Sequence, residues 1–172
     1  MAYTDTIAQP WYSSSGWNRG SINGIRPKRT LKIADTDTLY AGRINYIEKF
    51  AEEGMRVWGD KNLQIYENVM DRLSKRRLLI RIRKLCSIAC IGLIFDPLDN
   101  SMVRQFESAI TPVLNDVLEK RGITDWKMKI EDTPENRDRQ ELPAKIFIKP
   151  TPLLEYISLD FIITPQGTVW ND

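Results

Sequence analysis

Apolar residues recur at helical spacing over two long stretches of this chain and at strand spacing toward its end. Between residues 69 and about 90, Leu78, Leu79, Ile82, Leu85, Cys86 and Ala89 fall on one side of an ideal helical wheel. Arg72, Arg76, Arg77, Arg81, Arg83 and Lys84 gather on the other. Over residues 99–121, Val103, Phe106, Ile110, Val113, Leu114, Val117 and Leu118 repeat at the same period, with Asn100 or Ser101 as the expected cap and Gly122 as the stop. Pro112 lies inside that pattern and predicts a kink or a break.

The period then changes to two. Trp126, Met128 and Ile130 alternate with Lys127 and Lys129, and Ile146 and Ile148 with Lys145 and Lys149; Ile157, Leu159, Phe161 and Ile163 then alternate again, so three strands are expected. Residues 131–141, with Pro134 and five acids, predict a solvated loop. Nearer the start, residues 36–48 predict a short helix capped by Thr36 or Asp37, with Leu39, Tyr40 and Ile44 apolar and a turn toward Ile47. Residues 55–58 predict a strand stopped by Gly59, and residues 91–95 an apolar stretch closed by Asp96-Pro97. Residues 1–30 show neither period and predict irregular chain resting on another surface. The sum is an α+β fold, a small mixed or antiparallel sheet with two main helices packed on one face and an irregular N-terminal segment.

At 172 residues with 42% apolar content, one domain with a buried core is expected. The 25 Lys and Arg nearly balance 23 Asp and Glu, so the net charge of +2 says little about partners. The local balance says more, because residues 71–90 hold seven basic side chains against one acid, Asp71. Such a face is either simply solvated or meets an acidic partner that relieves its self-repulsion. Nucleic acid would do so through its phosphates, but no aromatic residue interleaves with the cluster and no DNA- or RNA-binding motif surrounds it. A protein surface fits the charge equally well.

The chain has no His, which removes the commonest general base and excludes Ser/His/Asp and Cys/His triads. Catalysis would rest on carboxylates alone, and Asp96, Asp99, Asp132 and Asp160 each have a plain structural use, so no enzyme is expected. Cys86 and Cys90 lie one helical turn apart without further Cys or His to complete a metal site, and are expected as buried reduced thiols. No cofactor is implied. No run of about 18 apolar residues and no basic-then-apolar N-terminal pattern points to a membrane or to secretion.

Several short motifs stand in a particular order. Pro10-Trp11-Tyr12, Gly16-Trp17-Asn18-Arg19-Gly20, Leu39-Tyr40, Ile44-Asn45, Val57-Trp58-Gly59-Asp60-Lys61, Arg76-Arg77-Leu78 and Phe95-Asp96-Pro97 follow one another. Arg121-Gly122-Ile123, an acidic loop, residues 146–150 and residues 156–161 continue the series. In this order they resemble the C-terminal half of contractile phage tail sheath proteins, over nearly the whole chain. Family members usually carry outer domains and an N-terminal arm before the Pro-Trp-Tyr segment, so the chain resembles a fragment or a minimal subunit.

The resemblance implies a structural subunit that stacks as six-fold rings in a helical sheath around a tail tube, and contracts to drive the tube through a host envelope. It implies partners: further copies of the chain, the tube protein, and baseplate and tail terminator proteins, in a virion assembled in the host cytoplasm, with no membrane and no nucleic acid. It divides the chain into an irregular segment (1–35), a sheath-like α+β body (36–163) and an extended C-terminal arm (164–172). Arg72, Arg76, Arg77, Arg81, Arg83 and Lys84 would face the tube, and Thr164, Thr168, Val169 and Trp170 would take part in strand exchange with a neighbour. The sheath of a phage-derived bacteriocin or injection machine is the close alternative, and a nucleic-acid-binding module the distant one.

Overall fold

The computed structural model describes residues 1–51 and 54–159. Its elements in chain order are α1 (Ala2–Ile7), β1 (Ser21–Ile22), α2 (Ile33–Ala41), β2 (Tyr46–Phe50), β3 (Gly54–Trp58), α3 (Leu73–Cys90), α4 (Asn100–Glu119), β4 (Ile123–Ile130), α5 (Pro134–Asp138) and β5 (Ala144–Pro150). A single turn of 3-10 helix, Ile91–Leu93, follows α3.

The α+β class holds, but the strands form two antiparallel sheets where one was expected: β1-β3-β2, and the pair β4-β5. In the pair, Trp126 faces Ile148 and Met128 faces Ile146, so the predicted alternation turns one apolar row toward the helices. Leu78 and Ile82 of α3, and Ile110, Leu114 and Val117 of α4, close on that row together with Trp11 and Ile123. Each fully buried aliphatic contributes about 1.5–3 kcal/mol, so this cluster is the main apolar support of the fold.

Several boundaries differ from the sequence expectation for identifiable reasons. The helix expected at 36–48 starts at Ile33, because the Asp35 carboxylate accepts from the Lys32 backbone N–H (3.0 Å) one turn ahead of Thr36 and Asp37. It ends by Gly42, and residues 46–50 pair as β2 instead. The cap of α4 is Asp99, whose carboxylate accepts from Met102 N (2.8 Å), and not Asn100 or Ser101. The same helix runs through Pro112 unbroken; Pro112 and Ser108 both lie on the exposed side, so the carbonyl that the proline leaves without an intrahelical donor is not enclosed in the core.

Residues 1–30 are less irregular than expected, with α1 and the short edge strand β1. The acidic run 131–141 contains α5, capped by Thr133. Residues 151–159 form no strand, which corrects the described part of the third strand expected there. Phe161, Ile163, Asp160 and the exchange residues Thr164, Thr168, Val169 and Trp170 lie outside the described residues.

Candidate assembly interface

Helix α3 begins without a side-chain cap of its own, since Arg72 stands at the N-cap position. Asp60 supplies one from a distance. Its buried carboxylate accepts from Ser74 N (3.3 Å), Ser74 Oγ (2.5 Å) and Ser13 Oγ (3.2 Å), and its carbonyl accepts from Leu73 N (2.8 Å). The Asn45 carboxamide then brackets Lys61, donating to its carbonyl (2.7 Å) and accepting from its N–H (2.9 Å). Gly59, at φ +106°, passes so close that a Cβ would stand 2.7 Å from Asn45 Oδ1. Thus Val57-Trp58-Gly59-Asp60-Lys61 with Asn45 is the socket that aims α3.

The structure divides the six basic residues. Arg72 is occupied internally: its Nε and Nη2 donate to Glu155 (2.5 and 2.9 Å) and its Nη1 to Asp71 (3.0 Å). Arg77, with 18% of its side chain exposed, pairs with Asp5 and so fastens α1 to α3. Arg76 stays exposed while donating to Met70 O (3.1 Å) and Gln64 Oε1 (2.5 Å) of the preceding loop. Arg81, Arg83 and Lys84 are exposed, with no ion pair among the described residues. Free positive charge is therefore concentrated on Arg81, Arg83 and Lys84, with Arg76 beside them.

Other charged groups on α3 proved structural. Lys75 is buried and donates to Thr151 O; burial pushes its ammonium pKa down, and the Asp60 carboxylate opposes the shift. Cys86 and Cys90 are free and only half-buried, and burial pushes both thiols up. Asp99 serves as a helix cap and Asp132 pairs with Arg137 (2.6 Å). Among the described residues no group of three or more His, Cys, Asp and Glu converges, and no helix is long and apolar enough to cross a membrane.

The sequence reading missed one property of the basic face. Ile80 (67% exposed), Ile88 (56%) and Ile91 (63%) also point outward, and Phe95 beyond the helix end is fully exposed. On the helical wheel Ile80 and Ile91 lie between Arg76 and Arg83 on one flank and Lys84 on the other. The signal is present in the sequence, since Ile80, Ile88 and Ile91 fall on the basic side of the same helical wheel.

No protein-family model matches the chain. The tail sheath protein of Vibrio phage KVP40 is 34% identical over 167 residues, 95% of this chain and 25% of that protein. The tail sheath proteins of Enterobacteria phage T4 and Salmonella phage ViI are each 28% identical, over 99% and 90% of this chain. This chain is a homologue of phage tail sheath proteins. It spans about a quarter of the length of these relatives.

Among solved structures, the sheath of an extracellular contractile injection system (PVC) in its contracted state superposes with a TM-score of 0.83 at 21% identity, covering 92% of this chain and 47% of that one. The anti-feeding prophage baseplate contains a chain that matches with a TM-score of 0.83 at 16% identity, covering 94% of this chain and 47% of that one. The fold of this sheath homologue is thus shared with parts of contractile machines. The motifs that carry the sequence resemblance are residues that shape this fold. Trp11 is buried and donates from Nε1 to Lys120 O (3.1 Å) at the end of α4. Gly16 N bonds Val57 O (2.9 Å) and Val57 N bonds Gly20 O (2.7 Å), tying the Gly-Trp-Asn-Arg-Gly loop to β3.

Proposed function

We propose that this chain is a structural subunit of a contractile tail sheath, polymerising as stacked six-fold rings around a tail tube and contracting to drive the tube through the host envelope. The observation that carries the reading is the 34% identity to a phage tail sheath protein across 95% of this chain. The chemistry agrees, since the polar groups with perturbed surroundings are consumed in caps and ion pairs that hold the fold. Self-association is the primary partnership. A head-to-tail contact between copies that does not close on itself generates an open helix, as a sheath requires.

In this reading the body 36–163 lies against the tube, segment 1–35 packs on the body, and arm 164–172 engages a neighbouring copy through Thr164, Thr168, Val169 and Trp170. Arg76, Arg81, Arg83 and Lys84 face the tube protein; Arg72 and Arg77 hold the helix in place behind them. Exposed ion pairs are worth about 0–1 kcal/mol each, so a clamp made of many of them is firm in sum and releasable copy by copy. Contraction exchanges these contacts for larger ones between sheath subunits, with baseplate and terminator proteins bounding the assembly in the virion. The sheath of a phage-derived injection machine is favoured as the second reading by the anti-feeding prophage and PVC likenesses, and genomic neighbours distinguish it.

The test replaces Arg76, Arg81, Arg83 and Lys84 together by Gln and examines the full chain by negative-stain electron microscopy, alone and with its tube. The wild type is expected to form rings or helical tubes and to decorate the tube. The variant should melt within about 2 °C of the wild type, because all four side chains are exposed, and should still self-assemble but decorate the tube more slowly and sparsely. A wild type that stays monomeric in both conditions ends the sheath reading, whereas a variant that decorates normally ends only the charge clamp.

A further inference from the structure

The outward face of α3 is organised as an apolar centre inside a basic rim. Ile80 and Ile91 stand about 16 Å apart along the helix axis, with Ile88 on the Arg81 flank between them. Arg76 and Arg83 border one side, Lys84 and Arg81 the other. Just past the helix end, Phe95 is held at φ +76°, a region that a bulky L-residue seldom adopts, and its ring is wholly in water. Neither burial nor an internal aromatic contact accounts for that conformation among the described residues.

We infer that this face docks a protein surface presenting apolar side chains bordered by carboxylates, with Ile80, Ile91 and Phe95 as anchors and the cations as rim. Two observations select that partner. The four exposed cations ask for negative charge, and phosphate backbone would meet them without using the aliphatic centre, so a nucleic acid leaves the isoleucines wet. A centre of apolar anchors with charge confined to the border is the layout in which a few buried residues carry binding and the rim sets orientation and encounter rate. In this scheme the charges choose where the partner lands and the isoleucines hold it.

The inference rests on the tube reading above, so the tube is the partner to try. Ile80→Gln with Ile91→Gln, and separately Phe95→Ser, are made in the full chain and assayed by co-sedimentation with assembled tail tube. Each variant should bind about ten-fold or more weakly with an unchanged melting temperature. Wild-type binding should weaken by less than about ten-fold between roughly 0.1 and 0.5 M NaCl, since apolar contact is little screened.

Variants that bind like the wild type, or wild-type binding abolished by salt alone, overturn the apolar centre and leave the tube reading standing. A wild type that ignores the tube but self-associates through these same residues in sedimentation equilibrium overturns the partner and puts a second copy on the face. No binding of either kind overturns both. A fall of more than about 5 °C in the melting temperature of the variants shows that the chain itself covers the stripe, and the docking surface is then excluded.

Discussion

Gly122 sits where three buried side chains converge. A Cβ there would stand 2.6 Å from Val117 Cγ1 and 3.0 Å from both Leu78 Cδ1 and Trp11 Cε2. The sequence marks Gly122 as the residue that ends α4, yet the left-handed residue at that end is Arg121, at φ +59°, and Gly122 N closes the turn on Val117 O (2.8 Å). Gly122 is therefore needed for the room it leaves, a property that no local turn rule can reveal because Trp11 and Leu78 arrive from far away in the chain. Gly122→Ala should overpack the core by about 1–3 kcal/mol and lower the melting temperature by roughly 3–10 °C. Gly92→Ala, where a Cβ meets nothing within 4 Å, is the control and should leave calorimetric melting in place.

At the scale of elements, α4 carries its own weak point on the outside. Pro112 removes one backbone donor opposite Ser108, and both residues face solvent while Ile110, Leu114 and Val117 face the core. Pro112→Ala restores that bond without touching the packed side, so the melting temperature should rise, by an amount corresponding to about 1 kcal/mol or more; a fall would show that the packing needs the local bend. Elements with a sustained period, α3, α4, β4 and β5, were legible in the sequence, as were β3 and its Gly59 stop. Those set by distant partners were not. Helix α1 is only six residues long and is tied down by Arg77, 72 positions away from Asp5. The split into two sheets depends on which strands meet, and alternation alone is silent about that. The basic face was legible as a charge pattern, but Arg72 and Arg77 left it because Glu155 and Asp5 lie outside any helical wheel.

Across the whole molecule, α3 is the element on which separate parts meet: the Asp60 socket at its start, α4 and the β4-β5 pair on its apolar side, and segment 151–159 along its first turns. That last attachment centres on Glu155, which accepts from Arg72 and from the Tyr40 hydroxyl, while the Tyr156 ring meets Tyr40 edge-on at 6.3 Å. Burial alone would raise the Glu155 carboxyl pKa, but the bonds from Tyr40 and Arg72 and the charges of Arg72 and Lys61 outweigh it and hold the group below its ordinary range. With the folded value below the unfolded one, the contribution is complete above the ordinary carboxylate value of about 4.3 and fades as pH falls through the lower folded value. Glu155→Gln should thus melt below the wild type at pH 7, and the two melting temperatures should converge as pH is lowered from about 5 toward 3; parallel curves would show that the carboxylate contributes nothing through its charge. There is also a mechanical side to this attachment. Three donor atoms grip one carboxyl group, so a tug on the downstream chain is borne by all of them together and they yield as a unit. Segment 151–159 is in consequence moored chiefly at one carboxyl group, with the Lys75–Thr151 bond and the Tyr40–Tyr156 ring contact on either side of it.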